Sequence, residues 1–150
     1  MQKILVAIDG SKSCHKAAEK AKEYALLCRA SVTFITIIEP KFGLVTSKEE
    51  FEEMQRDIEA KKESSNKYLD KCSEIYESCK TEIESSDLAT KRVVKEGNNP
   101  AQDICRYADD NDFDLIVLAD KGQSSIKDYL LGSTTEKVVR HADVSVMVVK

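Results

Sequence analysis

Phe113-Asp114-Leu115-Ile116-Val117-Leu118-Ala119 is a strongly apolar short run in the chain. Seven residues rich in branched side chains read as a strand buried on both faces, the kind found in a parallel sheet. Helical patterns flank the run on both sequence sides, and a strand so flanked belongs in the interior of a sheet. The rest of the chain can be read outward from this one element.

Upstream, Gly97-Asn98-Asn99-Pro100 opens a helix bearing Ala101, Ile104, Cys105 and Ala108. Asn99 suits the cap, Pro100 the first helical position, and Gln102 can reach back toward the cap. Residues 88–96 alternate into Val93-Val94 as a strand. Residues 3–8, KILVAI, form another buried strand ended by Asp9-Gly10-Ser11, and from Ser13 a stripe of Cys14, Ala17, Ala18, Ala21, Tyr24, Ala25 and Cys28 marks an amphipathic helix. SVTFITII, residues 31–38, is β-branched and aromatic, and Pro40 with Gly43 breaks it. Downstream, Ser133-Thr134-Thr135-Glu136 has the spacing of a capping box with Ser133 as the cap, opening a helix that ends near Ala142. Val144–Val149 closes the chain as a fifth strand.

Strands and helices thus alternate, and right-handed crossovers turn that order into an α/β fold: one doubly wound, Rossmann-like, five-stranded parallel sheet with helices on both faces. With 150 residues the chain has the length of one domain, 1–150, and no internal repeat. Residues 48–87 carry 13 acidic and 7 basic side chains, a net −6 that leaves +2 for the other 110 residues. A helical period runs through Phe51, Met54 and Ile58 and again through Leu69, Cys72, Ile75, Tyr76, Cys79 and Ile83, but residues 59–67 lack large apolar groups. An unbroken 36-residue helix would run ~54 Å, longer than a domain of this size, so the reading predicts a loop or frayed first half and a packed second half. The charge run itself reads as a solvated face.

Composition removes several function classes. At 41% hydrophobic and 33% charged, with five Gly and two Pro, the chain is neither disordered nor low-complexity. Its net charge of −4 lacks the basic footprint of a duplex DNA binder. Apolar runs of about five residues fall far short of the ~20 needed to span a membrane, and the first ends at Asp9, too early for a signal peptide. Five cysteines without a C-x-x-C suggest neither a disulfide framework nor a zinc knuckle, and fit a reducing cytoplasm. Cys72 and Cys79, seven apart, would share one helical face as packing residues. His15 and His141 read as surface residues, and neither a P-loop nor a nucleophile elbow is present.

Ligands of open parallel sheets bind beyond the carboxyl ends of the strands, so three loops carry the functional argument. Asp9-Gly10-Ser11 offers a carboxylate for a sugar hydroxyl or base amine, or else a cap for the first helix. Gly97 to Pro100 is explained by a turn and a cap. The third loop runs from Ala119 through Asp120, Lys121 and Gly122 to Gly132, Ser133, Thr134 and Thr135. Its glycines, its helix N-terminus and Lys121 fit an anion cradle, and a cap plus a tight turn would explain the same residues.

Taken in order, the strand ending in Asp9-Gly10-Ser11, the Gly97–Pro100 turn, FDLIVLA, a small residue, Gly122, Gly132-Ser133 and the terminal VSVMVV strand resemble the universal stress protein family over the whole chain. The ATP-binding branch of that family carries Gly, two residues, Gly, nine residues, Gly, then Ser or Thr. This sequence matches at Gly122, Gly132 and Ser133 and departs at Ala119. The resemblance implies ATP, with Mg²⁺ or Mn²⁺, its adenine near Ile8 and Ile37, with Asp9 on ribose and adenine. Phosphates would lie at Lys121, Gly122, Gly132, Ser133, Thr134 and Thr135, with Ala7, Leu118 and Ala119 completing the site at the strand ends. It also implies a cytoplasmic homodimer through strand five, Val146 and Val148 included, whose nucleotide occupancy regulates a protein partner in a stress response. No catalytic or resident metal-ligating residue is assigned. Two rival expectations are a partner-binding member without nucleotide, and a slow ATPase with a metal held at Asp9 or Asp120.

Overall fold

In a computed structural model that describes residues 2–40, 43–78, 89–121 and 130–150, the chain alternates strands and helices from end to end. The elements are β1 Lys3–Ala7, α1 Lys12–Cys28, β2 Ser31–Ile38, α2 Lys48–Glu77, β3 Thr90–Glu96, α3 Pro100–Asp110, β4 Leu115–Ala119, α4 Ser133–His141 and β5 Ser145–Val149. The five strands form one sheet in the order β3-β2-β1-β4-β5, and every neighbouring pair is parallel. The expected doubly wound α/β fold is therefore the fold observed, with β4 in its interior.

Side-chain alternation sorts the core onto two faces. Ile4, Val6, Val32, Phe34 and Val117 join α1 and α2 on one side, and Leu5, Ile35, Ile116 and Leu118 join α3 and α4 on the other. Each fully buried residue such as Leu5 or Ile35 contributes about 1.5–3 kcal/mol. The small stripe Ala17, Ala18, Ala21 and Ala25 is what α1 presents to this core. Arg29 then ends that helix in the left-handed region, φ 52°, its N–H donating to the Ala25 carbonyl. At α3 the expected cap forms: Asn99 accepts from the Gln102 N–H at 3.4 Å.

Two sequence expectations are corrected. Residues 48–77 form one continuous helix of 30 residues, about 45 Å long, with no loop or break in its first half. It starts at a capping box that the sequence reading missed. Ser47 Oγ accepts from the Glu50 N–H at 3.1 Å, and the Glu50 carboxylate accepts from the Ser47 N–H at 3.2 Å; bonds from the Thr46 N–H and hydroxyl above all, with that from Ser47, hold the carboxyl of Glu50 below its ordinary range. Ion pairs Asp57–Lys61 at 2.6 Å and Glu63–Lys67 at 2.9 Å support the helix on four-residue spacing. Arg92 and Glu96 of β3 bind it from outside through Asp70 and Lys62. The second half packs as expected, with Leu69, Cys72 and Tyr76 buried. Cys79, Ile83 and the shared Cys72–Cys79 face lie outside the described residues, as does residue 88 at the expected start of β3.

The second correction concerns α4. Gly132, not Ser133, is its N-cap, and no side chain caps the helix. Ser133 is the first helical residue, so its hydroxyl is not consumed by the capping box that the spacing suggested. Glu136 instead pairs with Arg140 at 2.8 Å.

A cleft across the strand ends

The carboxyl ends of β1, β2 and β4 open into a cleft of about 740 Å³, within the size range of small-molecule sites. Its floor and walls include every residue assigned from the sequence except Gly122, which lies outside the described residues. Ala7, Ile8 and Asp9 come from the end of β1, Ile37 from β2, and Leu118, Ala119 and Lys121 from β4 and its exit. Gly132, Ser133, Thr134 and Thr135 approach from the start of α4.

The β1 turn is built around Asp9. Ile8 continues the sheet by donating to the Ile35 carbonyl at 2.8 Å. Gly10 then takes φ 80°, a conformation that suits glycine, and the chain doubles back. Asp9 Oδ1 accepts from the Ser11 N–H at 2.9 Å and from the Cys14 thiol at 2.8 Å. Burial, the largest cause, pushes the Cys14 thiol up to about 11, so at neutral pH it is protonated and donates. Ser11 is the N-cap of α1 without a side-chain cap bond. Asp9 therefore closes the turn while its residue stays exposed at the rim of the cleft.

At α4, one bond ties the exit of β4 to β5 and two pin the helix over β4. Asp120 N–H donates to the Val149 carbonyl at 2.8 Å, Gly132 N–H to the Asp120 carbonyl at 2.7 Å, and the buried Thr135 hydroxyl to the Ala119 carbonyl at 2.8 Å. Thr135 is thus an anchor. The first-turn amides of a helix have no intrahelical acceptor and carry the positive end of its dipole. Here that end, with the side chains of Ser133 and Thr134, borders the cleft. Ala119 is ordinary strand, hydrogen-bonded in register with Val149, and among the described residues only Arg29, Asp112 and Gly10 have positive φ.

The sequence reading missed the third wall. Because α2 is continuous, its middle turns pass the cleft and supply Lys61, Ser64, Ser65 and Tyr68, facing Thr36 of β2. The absence of large apolar groups at 59–67 was the available signal. His15 and His141 are exposed and do not line the cleft, and among the described residues no group of three or more metal-binding side chains is assembled. No described helix is long and apolar enough to cross a membrane.

Comparison with known proteins gives a consistent result. The model of the universal stress protein family matches residues 1–150. The universal stress protein MJ0577 of Methanocaldococcus jannaschii is 28% identical, over 99% of this chain and 94% of its own. Among solved structures, universal stress protein UspA from Lactobacillus plantarum superimposes with a TM-score of 0.84 at 23% identity, over 99% of this chain and 97% of that one. A universal stress protein from Archaeoglobus fulgidus, in complex with dAMP, gives a TM-score of 0.65 at 23% identity, over 100% of this chain and 98% of that one.

Proposed function

The chain belongs to the universal stress protein family, and on that premise we propose that residues 1–150 form an ATP-binding regulatory unit acting in a stress response. One observation carries the reading: Asp9, at the end of β1, and the N-terminus of α4 line the same cleft. The first suits ribose hydroxyls and a base amine, the second suits phosphate. The dAMP complex of the Archaeoglobus fulgidus relative supports an adenine nucleotide as the occupant.

In this reading Ile8 and Ile37 flank the adenine, with Ala7, Leu118 and Ala119 as the apolar floor. Ser133, Thr134, Gly132 and Lys121 bind the phosphates, together with Gly122. Thr135 acts through its bond to Ala119, fixing where the helix amides point. A divalent ion, Mg²⁺ or Mn²⁺, would be carried by the phosphate oxygens. The protein's part is to bind and orient. Nucleotide occupancy at the start of α4 would alter the face offered to a regulatory partner. The unit would work in the cytoplasm as a homodimer joined at β5, which is an edge strand of the sheet.

Purified protein, denatured to release any bound ligand and titrated calorimetrically with ATP and Mg²⁺, tests the reading. An adenine nucleotide in the released fraction and a saturable heat of binding are expected. A ligand-free protein with no ATP heat would overturn the reading and favour a member that binds only partners.

A further inference from the structure

The polar wall contributed by α2 is unexplained by packing. Residues 59–67 lack any large apolar side chain, yet the helix runs through them unbroken and turns Ser64 and Ser65 toward the cleft. Ser65 and Thr36 are each only 2% exposed. Burying a hydroxyl is unfavourable unless it is hydrogen-bonded, and both of these bond to one atom. Tyr68 OH lies 2.9 Å from Ser65 Oγ and 3.2 Å from Thr36 Oγ1.

The three hydroxyls own three protons, and their two mutual bonds use two. Among the described residues no other hydrogen bond takes the third proton or the remaining lone pairs. The group therefore keeps at least one unspent proton and several unspent lone pairs, carries no charge, and meets the cleft through the half-buried Tyr68. Lys61, the nearby cation, is committed to Asp57 at 2.6 Å and to the Glu39 carbonyl at 3.1 Å. A neutral, two-way hydrogen-bonding surface suits the edge of a heteroaromatic ring better than it suits a phosphate.

Position agrees with chemistry. Strand order places β1 between β2 and β4, so Thr36 at the end of β2 lies two strand spacings, roughly 10 Å, from the α4 side of the cleft. A nucleotide anchored by phosphate at α4 crosses Asp9 and brings its base to β2 and α2. We propose that the Thr36–Tyr68–Ser65 hydroxyl group is the base-reading end of the site, with Tyr68 OH accepting from the exocyclic amine of the purine. This deepens the nucleotide reading and rests on it.

The test is calorimetric titration of wild type and Tyr68→Phe with ATP and with purine riboside triphosphate, which lacks the exocyclic amine. Wild type should prefer ATP, and Tyr68→Phe should lose roughly three- to tenfold in ATP affinity while its affinity for the amine-free analogue is unchanged. A purely structural tyrosine would weaken both ligands equally, which overturns the proposal, as does a wild type that binds the two alike. A wild type that binds neither overturns the nucleotide reading and this inference with it. Should Tyr68→Phe fail to fold, Thr36→Val removes one buried hydroxyl with little change of shape and is read by the same ratio of affinities.

Discussion

The thiol of Cys14 donates a 2.8 Å hydrogen bond to Oδ1 of Asp9, while the Asp9 N–H returns a 3.3 Å bond to the same sulfur. The pair ties the first turn of α1 to the end of β1, so the carboxylate at the rim of the cleft is oriented from inside the core. Cys14→Ala removes that donor and should weaken ATP binding by about threefold, whereas Cys14→Ser keeps a donor and most of the affinity. Calorimetric titration of the three proteins checks this. Equal affinity in the alanine variant would show that Gly10 and the Ser11 N–H suffice to hold the turn.

Cys14 and Cys72 also set an alkaline limit on stability. Burial is the main cause that raises both thiols from an ordinary 9.0 to about 11, with Asp9 opposing and assisting at Cys14 and the charge of Cys14 assisting at Cys72. A raised folded-state value means that the unfolded chain loses the proton first. The thiol contribution is therefore complete below about pH 9 and is lost as pH rises toward 11. Urea midpoints should hold up to pH 9 and then decline, and the double variant Cys14→Ala, Cys72→Ala should decline less steeply. An identical decline would assign the effect to other groups, Tyr76 first among them, since burial raises it too.

What the sequence displayed well was strand placement, because the runs KILVAI, SVTFITII and FDLIVLA bury both faces and admit one reading. The loop residues of the cleft were legible for a related reason: Asp9 stands where β1 ends and Gly132 and Ser133 where α4 begins, and a parallel sheet gathers strand ends and the starts of the following helices at one edge. The α2 wall was not legible. A break in apolar period looks the same whether the helix stops or faces a polar cleft, and Ser65 gives no local sign that its neighbour in space is Thr36. The capping frame at α4 misled because Ser133 satisfies the spacing rule, while the bond from Gly132 N–H to the Asp120 carbonyl fixes the cap one residue earlier.

Gly132 has φ −60° and ψ 148°, values open to any residue, so a substitution there acts by filling space and not by backbone strain. Gly132→Val should place two methyl groups where phosphate would approach the α4 amides. At least a tenfold loss of ATP affinity, ~1.4 kcal/mol, is expected with an unchanged circular dichroism spectrum. Unchanged affinity would remove the α4 N-terminus from the site.

Edge strand β5 gives the dimer prediction. Val146 packs against the α3 and α4 core, so Val146→Lys would disturb the fold as well as any interface. Val148, half-buried and paired with Leu118, is the cleaner probe. Val148→Lys should shift sedimentation from dimer to monomer, because a charge on an apolar edge opposes strand pairing. A variant that stays dimeric would place the interface away from β5.

Ala119 stands where the ATP-binding pattern has its first glycine, and its conformation decides what that departure does. It is the last residue of β4, in register with Val149, and its φ is not positive. The backbone therefore carries no left-handed strain that glycine would relieve. Its side chain lies on the α1 and α2 face at 6% exposure, bordering the cleft, and its carbonyl accepts the Thr135 bond that sets the angle of α4. The methyl narrows the cleft, and it also keeps the strand end ordered. Ala119→Gly should lower unfolding stability by about 0.5–1 kcal/mol, since glycine loses more freedom on folding. It should tighten ATP by no more than about fivefold, ~1 kcal/mol, through the space released. Denaturant titration and calorimetry on both proteins, under one salt and magnesium condition, separate the two effects. A variant more stable than wild type would contradict the strand conformation of Ala119, and a gain in affinity beyond tenfold would mean that the methyl obstructs the phosphate path directly.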